Sequence, residues 1–488
     1  MIIYLYSLLK MTRKLLFFTT LFVGLIAQAQ QTGYEIKVTL KPFQGQYVYL
    51  GHYFGKTYPI IDSVKLDANS QGVFKGDKAL PGGIYLIGYP NKSGFFEILV
   101  DKQQHFSIIA DTATLAQTIG FENSPDNIAF LNYQQTMRDL GSRVRSLQER
   151  LKQGDADSMQ LRRELISVDR QMNDYRLDLI NNQGNTLLGT LMKAMREPEL
   201  PESLRKPANK EDSLAAFRYY KEHYFEGVNF WDGRLAYTPF FEERVERYFK
   251  QLVSFDGDSV IREIDNMMAY AQINPEMTRL LLVKFLNRYL QQQYMWEDAV
   301  LVHLYEKYIS NKTYPWLEEK GRKMIQDRAY SLMANILKSP AAEVELPDST
   351  GKMRALYDLK TAYTLLVFWD PTCGHCKETL PRIDSIYKAK WSKQNIGIYA
   401  IAKETEGDLK MWTDFIQQNQ LVGWTHVYYS KKTEKQRIDS GIPGYSQLFD
   451  VQTFPTLYLL DREKKIIAKK LTFQQMDDIL EMQRAGSN

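Results

Sequence analysis

The chain has 488 residues, 44% of them hydrophobic and 25% charged, and its formal net charge is +4. A length of this order predicts about three domains with sizeable cores. So small a charge over so long a chain does not favour nucleic acid or a membrane surface as a partner. Six histidines and two cysteines provide no second cysteine pair for a structural zinc site, so we expect neither a metal nor a cofactor.

The N-terminal segment is typical of an export signal. Arg13 and Lys14 precede an apolar stretch at 15–26, and the small residues Ala27 and Ala29 then form a cleavage site. The sequence therefore predicts a signal peptide at residues 1–29 and a mature protein in the periplasm or cell envelope, where disulfides persist. The apolar stretch is shorter than the ~20 residues that span a bilayer, so no stable membrane span is expected. An uncleaved anchor remains the alternative.

Residues 31–121 show the alternation of apolar and polar residues that β-strands produce. The pattern is clearest at 34–40 and 46–50, and Gly and Asn turns recur at even spacing. The other candidate strands are 58–66, 72–75, 84–89, 95–100 and 105–110. This region predicts a small antiparallel β-sandwich and contains no recognisable chemical site.

The period changes near Ser124, and residues 124–338 predict an all-α domain. Leu140, Val144 and Leu147 follow helical spacing, and a second helix at 158–179 predicts a long helical hairpin. The later helices are predicted at 212–225, 240–254, 258–271, 277–293, 297–310 and 316–337.

Residues 341–488 alternate between buried strands and helices. The main strand is predicted at Leu365–Trp369, and a helix follows it from about Cys373 to Lys390. The remaining elements are strands at 396–402, 424–429, 456–460 and 466–468 and helices at 408–418 and 473–484. This order predicts an α/β domain with a mixed sheet.

The only two cysteines, Cys373 and Cys376, stand two residues apart at the predicted start of that helix. A thiolate that attacks a disulfide forms a mixed disulfide, and a second thiol nearby then displaces the product. The helix N-terminus favours the thiolate of Cys373, the predicted nucleophile, and Cys376 is the predicted resolving thiol. A partly cationic His375 would favour that thiolate further and make the disulfide more oxidising. A structural disulfide remains open, although so tight a loop stabilises little.

Several of these residues together resemble the thioredoxin fold. They are Phe368-Trp369, the motif Cys373–Cys376, Pro381 and the segment Phe454–Thr456. The resemblance covers 341–488 and is greatest to the exported bacterial thiol:disulfide oxidoreductases, including the reductases that serve cytochrome maturation. The β and helical regions are similar, more weakly, to domains of unknown function that precede thioredoxin domains in exported Bacteroidetes proteins.

The resemblance implies that Pro455 follows a cis peptide and lies against the cysteine pair. The backbone of Phe454 would then pair with an extended client segment, and Trp369, Phe454 and Pro455 would bind the client. Thioredoxin has a buried acid where this chain has Val367. The proton acceptor for Cys376 is therefore open between Glu378, Asp370 and a water molecule.

The middle dipeptide Gly374-His375 resembles that of protein disulfide isomerase, which is oxidising, whereas the exported branch is reducing. The leading hypothesis is an exported thiol–disulfide oxidoreductase. The reductase direction is favoured over the oxidase or isomerase direction, which stays open. Its partners would be protein clients and an unidentified electron donor of the envelope. Two alternatives remain: a peroxiredoxin-like peroxidase, suggested by Pro371–Cys373, and a binding or assembly protein that uses the thioredoxin domain as a scaffold.

Overall fold

The computed structural model describes residues 33–154, 157–406 and 408–485. The predicted signal peptide, 1–29, lies outside these ranges. By its internal contacts the chain divides into two compact units, Met1–Leu252 with Tyr270–Leu280 and Val253–Ala269 with Leu281–Asn488. This division runs through the region predicted as one helical domain, so the boundaries 31–121, 124–338 and 341–488 stay predictions.

The first unit contains two four-stranded sheets. Its strands are β1 Tyr34–Lys41, β2 Tyr47–His52, β3 Ile60–Lys65, β4 Gln71–Gly76, β5 Gly83–Gly88, β6 Phe95–Val100, β7 His105–Asp111 and β8 Gly120–Glu122. The strand orders are β4-β1-β7-β8 and β3-β2-β5-β6. Apolar residues of both sheets, such as Phe74 and Ile98, share one core, so the predicted sandwich is confirmed.

One strand pair of the sandwich departs from the antiparallel expectation. β1 and β7 run parallel, with Val38 opposite Ile108, whereas the other described pairs of the two sheets are antiparallel. Strands that run parallel need a long connection between them, and here β2 to β6 supply it. Alternation within single strands does not reveal such a long-range pairing.

The helical part begins with the predicted hairpin. Leu147 on the first helix and Leu161 and Val168 on the second form its apolar seam. The helices, in chain order, are α1 Leu115–Thr118, α2 Pro125–Lys152, α3 Ser158–Gln183, α4 Leu187–Met195, α5 Lys210–Glu222, α6 Pro239–Gln251, α7 Gly257–Ala271, α8 Pro275–Leu290, α9 Glu297–Leu304 and α10 Glu319–Met333. Within the described ranges, no helix is both long enough and apolar enough to cross a membrane.

The second unit contains a short β-ribbon and a five-stranded mixed sheet. Its strands are β9 Glu345–Pro347, β10 Met353–Ala355, β11 Tyr363–Trp369, β12 Ile396–Lys403, β13 Thr425–Tyr429, β14 Thr456–Leu460 and β15 Ile466–Lys469. Its remaining helices are α11 Gly374–Ala389, α12 Leu409–Gln418, α13 Lys431–Asp439, α14 Tyr445–Leu448 and α15 Phe473–Ala485. The large sheet has the order β13-β12-β11-β14-β15, in which β11, β12 and β13 are parallel, β14 is antiparallel to β11, and β15 is antiparallel to β14. The predicted mixed α/β fold is confirmed.

The central strand β11 is buried on both faces. Its successive side chains point to opposite sides of the sheet, and each side is covered by a core cluster. Val367 and Trp369 pack on the face that α11 covers through Leu380. Phe368 packs on the other face, near Tyr458. The strand therefore stops at the edge of the core, and the residues that follow it emerge where α11 begins.

Candidate active site

Cys373 is the last residue before helix α11. Its backbone is extended (φ −70°, ψ 123°), and its carbonyl oxygen already accepts a hydrogen bond from the N–H of Lys377 at 3.1 Å. The N–H groups of the first helical turn have no partner within the helix, and they carry the positive end of its dipole. The half-buried thiol of Cys373 thus lies at the N-terminus of α11.

Cys376 lies one turn further along the helix and is fully buried. Its Sγ accepts a hydrogen bond from the backbone N–H of Asp370 at 3.5 Å. Burial raises the pKa of the Cys376 thiol well above its usual range, and the neighbouring Cys373 and the Asp370 charge raise it further. Both cysteines are free thiols, so the pair consists of a partly accessible thiol and a buried, protonated one.

A buried carboxylate fixes the turn between β11 and Cys373. Asp370 Oδ1 accepts hydrogen bonds from the backbone N–H and the hydroxyl of Thr372, each at 2.7 Å, and the hydroxyl of Thr405 donates to Oδ2. Thr405 follows β12, whose parallel register places Ala402 beside Trp369. The two strand ends therefore meet at one edge, and the network holds the Asp370 N–H that reaches Cys376.

This network was only partly visible in the sequence. Asp370 was one candidate for the proton acceptor, whereas Thr372 and Thr405 were not singled out. An Asp followed two residues later by Thr is a signal for a turn closed by the Asp side chain, and it could have identified Thr372. Glu378, the other carboxylate considered, is exposed on α11.

The segment before β14 lies against the nucleophilic thiol. The Phe454–Pro455 peptide is cis, as the resemblance implies, and Cys373 Sγ lies 3.5 Å from the carbonyl oxygen of Phe454, to which it donates. The side chain of Phe454 is half-buried. The structure thus brings Cys373, Cys376 and Phe454 together although Phe454 is 81 residues from Cys373 in the chain.

Two other predicted site residues, Trp369 and His375, do not contact the thiol of Cys373 in the way that Phe454 does. Trp369 is fully buried, with its ring centroid 5.2 Å from that of Phe415, so the expectation that it touches a client is wrong. It ends a strand that is covered on both faces, and it therefore packs beneath the site. His375 is exposed on the first turn of α11. Within the described ranges, no group of three or more His, Cys, Asp or Glu side chains is arranged to hold a metal ion.

The family model described as thioredoxin-like matches residues 361–466. Among solved structures, a domain of a possible thiol-disulfide isomerase from Cytophaga hutchinsonii is 31% identical, over 31% of this chain and 94% of that one, with a TM-score of 0.27. A thioredoxin-like protein from Bacteroides caccae is 20% identical, over 59% of this chain and 98% of that one, with a TM-score of 0.41.

A thiol:disulfide interchange protein from a Bacteroides species is also similar. It is 24% identical, over 31% of this chain and 91% of that one, with a TM-score of 0.27. No curated protein sequence matches the chain at a significant level.

Proposed function

We propose that this chain, which belongs to the thioredoxin-like family, reduces disulfides of protein clients outside the cytoplasm through Cys373 and Cys376. The observation that carries the proposal is the pairing of a partly accessible thiol at a helix N-terminus with a buried thiol one turn away. The first can attack a client and the second can complete the transfer without leaving the protein.

The transfer has two steps in which electrons and protons balance. The Cys373 thiolate attacks a client disulfide, so that a Cys373–client bond forms, the client bond breaks and one client thiolate leaves and takes up a proton. Cys376, once deprotonated, attacks Sγ of Cys373 and releases the second client thiolate, which is protonated in turn. The client disulfide gains two electrons and two protons, and the protein is left with a Cys373–Cys376 disulfide that an envelope dithiol must reduce.

The two thiols have different surroundings, and each set of surroundings favours one of the two steps. The unpaired N–H groups at the start of α11 favour negative charge on the sulfur of Cys373, which is the form that attacks the client disulfide in the first step. The raised pKa of Cys376 keeps that sulfur protonated until the mixed disulfide has formed. The backbone of Phe454 lies beside Cys373, and this position supports the proposed pairing of that backbone with an extended client segment.

Export and direction are the finer parts of the proposal. The charged, apolar and small-residue regions within 1–29 support export. The resemblance to the exported reductases supports reduction, whereas the resemblance of the Gly374-His375 dipeptide to that of protein disulfide isomerase favours a more oxidising pair. We take reduction as the direction, because the resemblance to the exported reductases extends over 341–488, whereas the oxidising resemblance is confined to Gly374 and His375.

Insulin reduction with a small dithiol as electron source tests the proposal. The wild-type protein should accelerate the precipitation of insulin chains, and Cys376→Ser should accumulate a mixed disulfide between Cys373 and insulin that non-reducing electrophoresis and mass spectrometry detect. A wild type without activity, together with a Cys376→Ser variant that traps no insulin, would overturn the proposal.

The same variants address the two alternatives. A peroxidase of the peroxiredoxin type would consume peroxide even after Cys376→Ser, because its nucleophile does not need this partner. A scaffold would keep its role in cells when both cysteines are replaced by Ser. The proposed function predicts that Cys376→Ser does not consume peroxide and that the protein loses its role in cells when both cysteines are replaced.

A further inference from the structure

A polar pocket begins one residue beyond the carbonyl group that Cys373 contacts. Pro455 lines it, and Phe454, whose carbonyl accepts from Cys373 Sγ, immediately precedes that proline. Its volume is about 590 Å³, and its walls come from α11, from the loop before β14 and from the loop after β15. None of the steps described above uses this pocket.

The charged groups of the pocket are mainly positive. Arg382, on α11, and Lys470, after β15, line it, and Asp450 is the single carboxylate in its lining. The two oxygens of the buried Asp450 are already paired, one with Arg328 at 2.8 Å and the other with Lys470. Those three groups together carry a net charge of +1, so Asp450 does not neutralise Arg382.

Arg382 itself is held in an open position. Its guanidinium carbon lies 5.2 Å from the centroid of the Phe473 ring, which fixes the side chain at the pocket wall. Among the residues that the structure describes, none forms an ion pair with Arg382, although Glu378 precedes it by four residues on the same helix. A guanidinium has five N–H donors in a fixed plane, and two of them can bind the two oxygens of a carboxylate at the same time.

The uncharged part of the lining also contains donors. Thr379, Thr453 and Gln474 line the pocket, and their side chains carry hydroxyl or amide groups. Such groups can donate to a carboxylate oxygen that is not bound by the guanidinium. A carboxylate is therefore the ligand chemistry that the whole lining suits best.

We propose that this pocket binds an acidic side chain of the client, Asp or Glu, within about two residues of the cysteine that Cys373 attacks. The inference rests on the proposed function and adds a substrate class to it. A client segment that pairs with the backbone at Phe454 would be extended and advance about 3.3 Å per residue, with side chains on alternating sides. A side chain near the attacked cysteine then reaches past Pro455 to Arg382.

Paired peptides provide the test. Each pair contains one intermolecular disulfide and differs only by Glu or Gln, placed in turn at each position within two residues of the cysteine. We expect the wild type to reduce the best-placed Glu peptide about fivefold faster than its Gln partner, as kcat/KM at low salt, with the preference falling as salt rises. Arg382→Gln should bring the ratio close to one, and Arg382→Glu should reverse it.

Lys435→Gln is the matched control, because it removes one positive charge from an exposed residue on α13 that does not line the pocket. It should leave both the ratio and the basal rate unchanged. Equal rates on all peptide pairs in the wild type, or a preference that survives Arg382→Gln, would overturn the inference while leaving thiol exchange itself intact. A wild type that reduces no peptide at all would instead contradict the proposed function.

Discussion

Two central strands of this protein, β5 and β11, are each followed by a dipeptide that ends in proline, but the chain then continues differently. β5 is followed by Tyr89-Pro90, and β11 is followed by Asp370-Pro371. Both strands are buried and paired on both edges. After β5 the chain makes a short 3-10 turn and returns antiparallel as β6, whereas after β11 it enters a 16-residue helix before the parallel strand β12.

The difference explains why the candidate active site follows β11 and not β5. An antiparallel neighbour needs a short turn, but a parallel neighbour needs a crossover, usually a helix. The crossover puts a helix N-terminus, with its unpaired N–H groups, directly at the end of a buried strand. Cys373 occupies that position after β11, and the turn after β5 has no equivalent.

The largest expected effect comes from replacing the cysteine that follows β11. A serine that follows β5 provides the control. Cys373→Ser should lower insulin reduction by about a thousandfold or more, because the remaining thiol, Cys376, is fully buried and cannot reach a client disulfide. Ser93→Ala, in the turn after β5, removes a hydrogen bond to the Pro90 carbonyl and should leave the rate unchanged. Comparable losses in the two variants would break the comparison.

Removing one large core side chain from the sandwich, or one from the second unit, should separate stability from activity. Phe74→Ala, in the sandwich, and Phe368→Ala, in β11, each delete a fully buried ring and should cost about 3–5 kcal/mol of unfolding free energy. Only Phe368→Ala should lower the urea concentration at which insulin reduction is lost. An equal shift of that midpoint by Phe74→Ala would show that the sandwich is needed for the reaction.

The resolving step should depend on pH in a direction that the buried thiol sets. Because the pKa of Cys376 is raised, its thiolate is a minor form near neutrality, and its fraction grows about tenfold per pH unit. Release of a preformed Cys373–client mixed disulfide, followed by rapid quenching, should therefore accelerate about tenfold from pH 6 to pH 7 and again to pH 8. A rate that is level across this range would contradict the assignment.

A smaller effect is expected at the carboxylate that follows β11. The Asp370 charge is one cause of the raised pKa of Cys376, so Asp370→Asn should lower that pKa and speed resolution about threefold at pH 7. Asn keeps an oxygen that can accept from Thr372. Thr372→Val is the companion variant, since it loosens the turn without removing the charge. Slower resolution in Asp370→Asn would instead identify this carboxylate as the proton acceptor of Cys376.

The sequence was sufficient for elements whose pattern is local. The alternation in β1, the helical spacing in α2 and the spacing of the two cysteines each predicted what the structure shows. Helix α4 was missed because it has only nine residues, about two and a half turns, which is too short for a helical period to be recognised. Helix α13 was missed although Ser430 accepts a hydrogen bond from the N–H of Thr433, a helix-start signal that the sequence offered.

What depended on distant parts of the chain was harder to predict. The parallel pairing of β1 with β7, the meeting of Asp370 with Thr405 and the burial of Trp369 follow from how strands are arranged, not from any single segment. The resemblance correctly implied the cis peptide before Pro455, but its expectation that Trp369 binds the client failed.

The reduction potential of the Cys373–Cys376 pair tests the central claim most directly. The protein would be equilibrated in glutathione or dithiothreitol buffers of defined potential, quenched with acid and analysed by mass spectrometry for the loss of two hydrogens. The account predicts a single two-electron transition with a midpoint between those of thioredoxin, about −270 mV, and protein disulfide isomerase, about −180 mV. Two thiols that stay reduced throughout the accessible range, or that react independently with glutathione without joining, would contradict it.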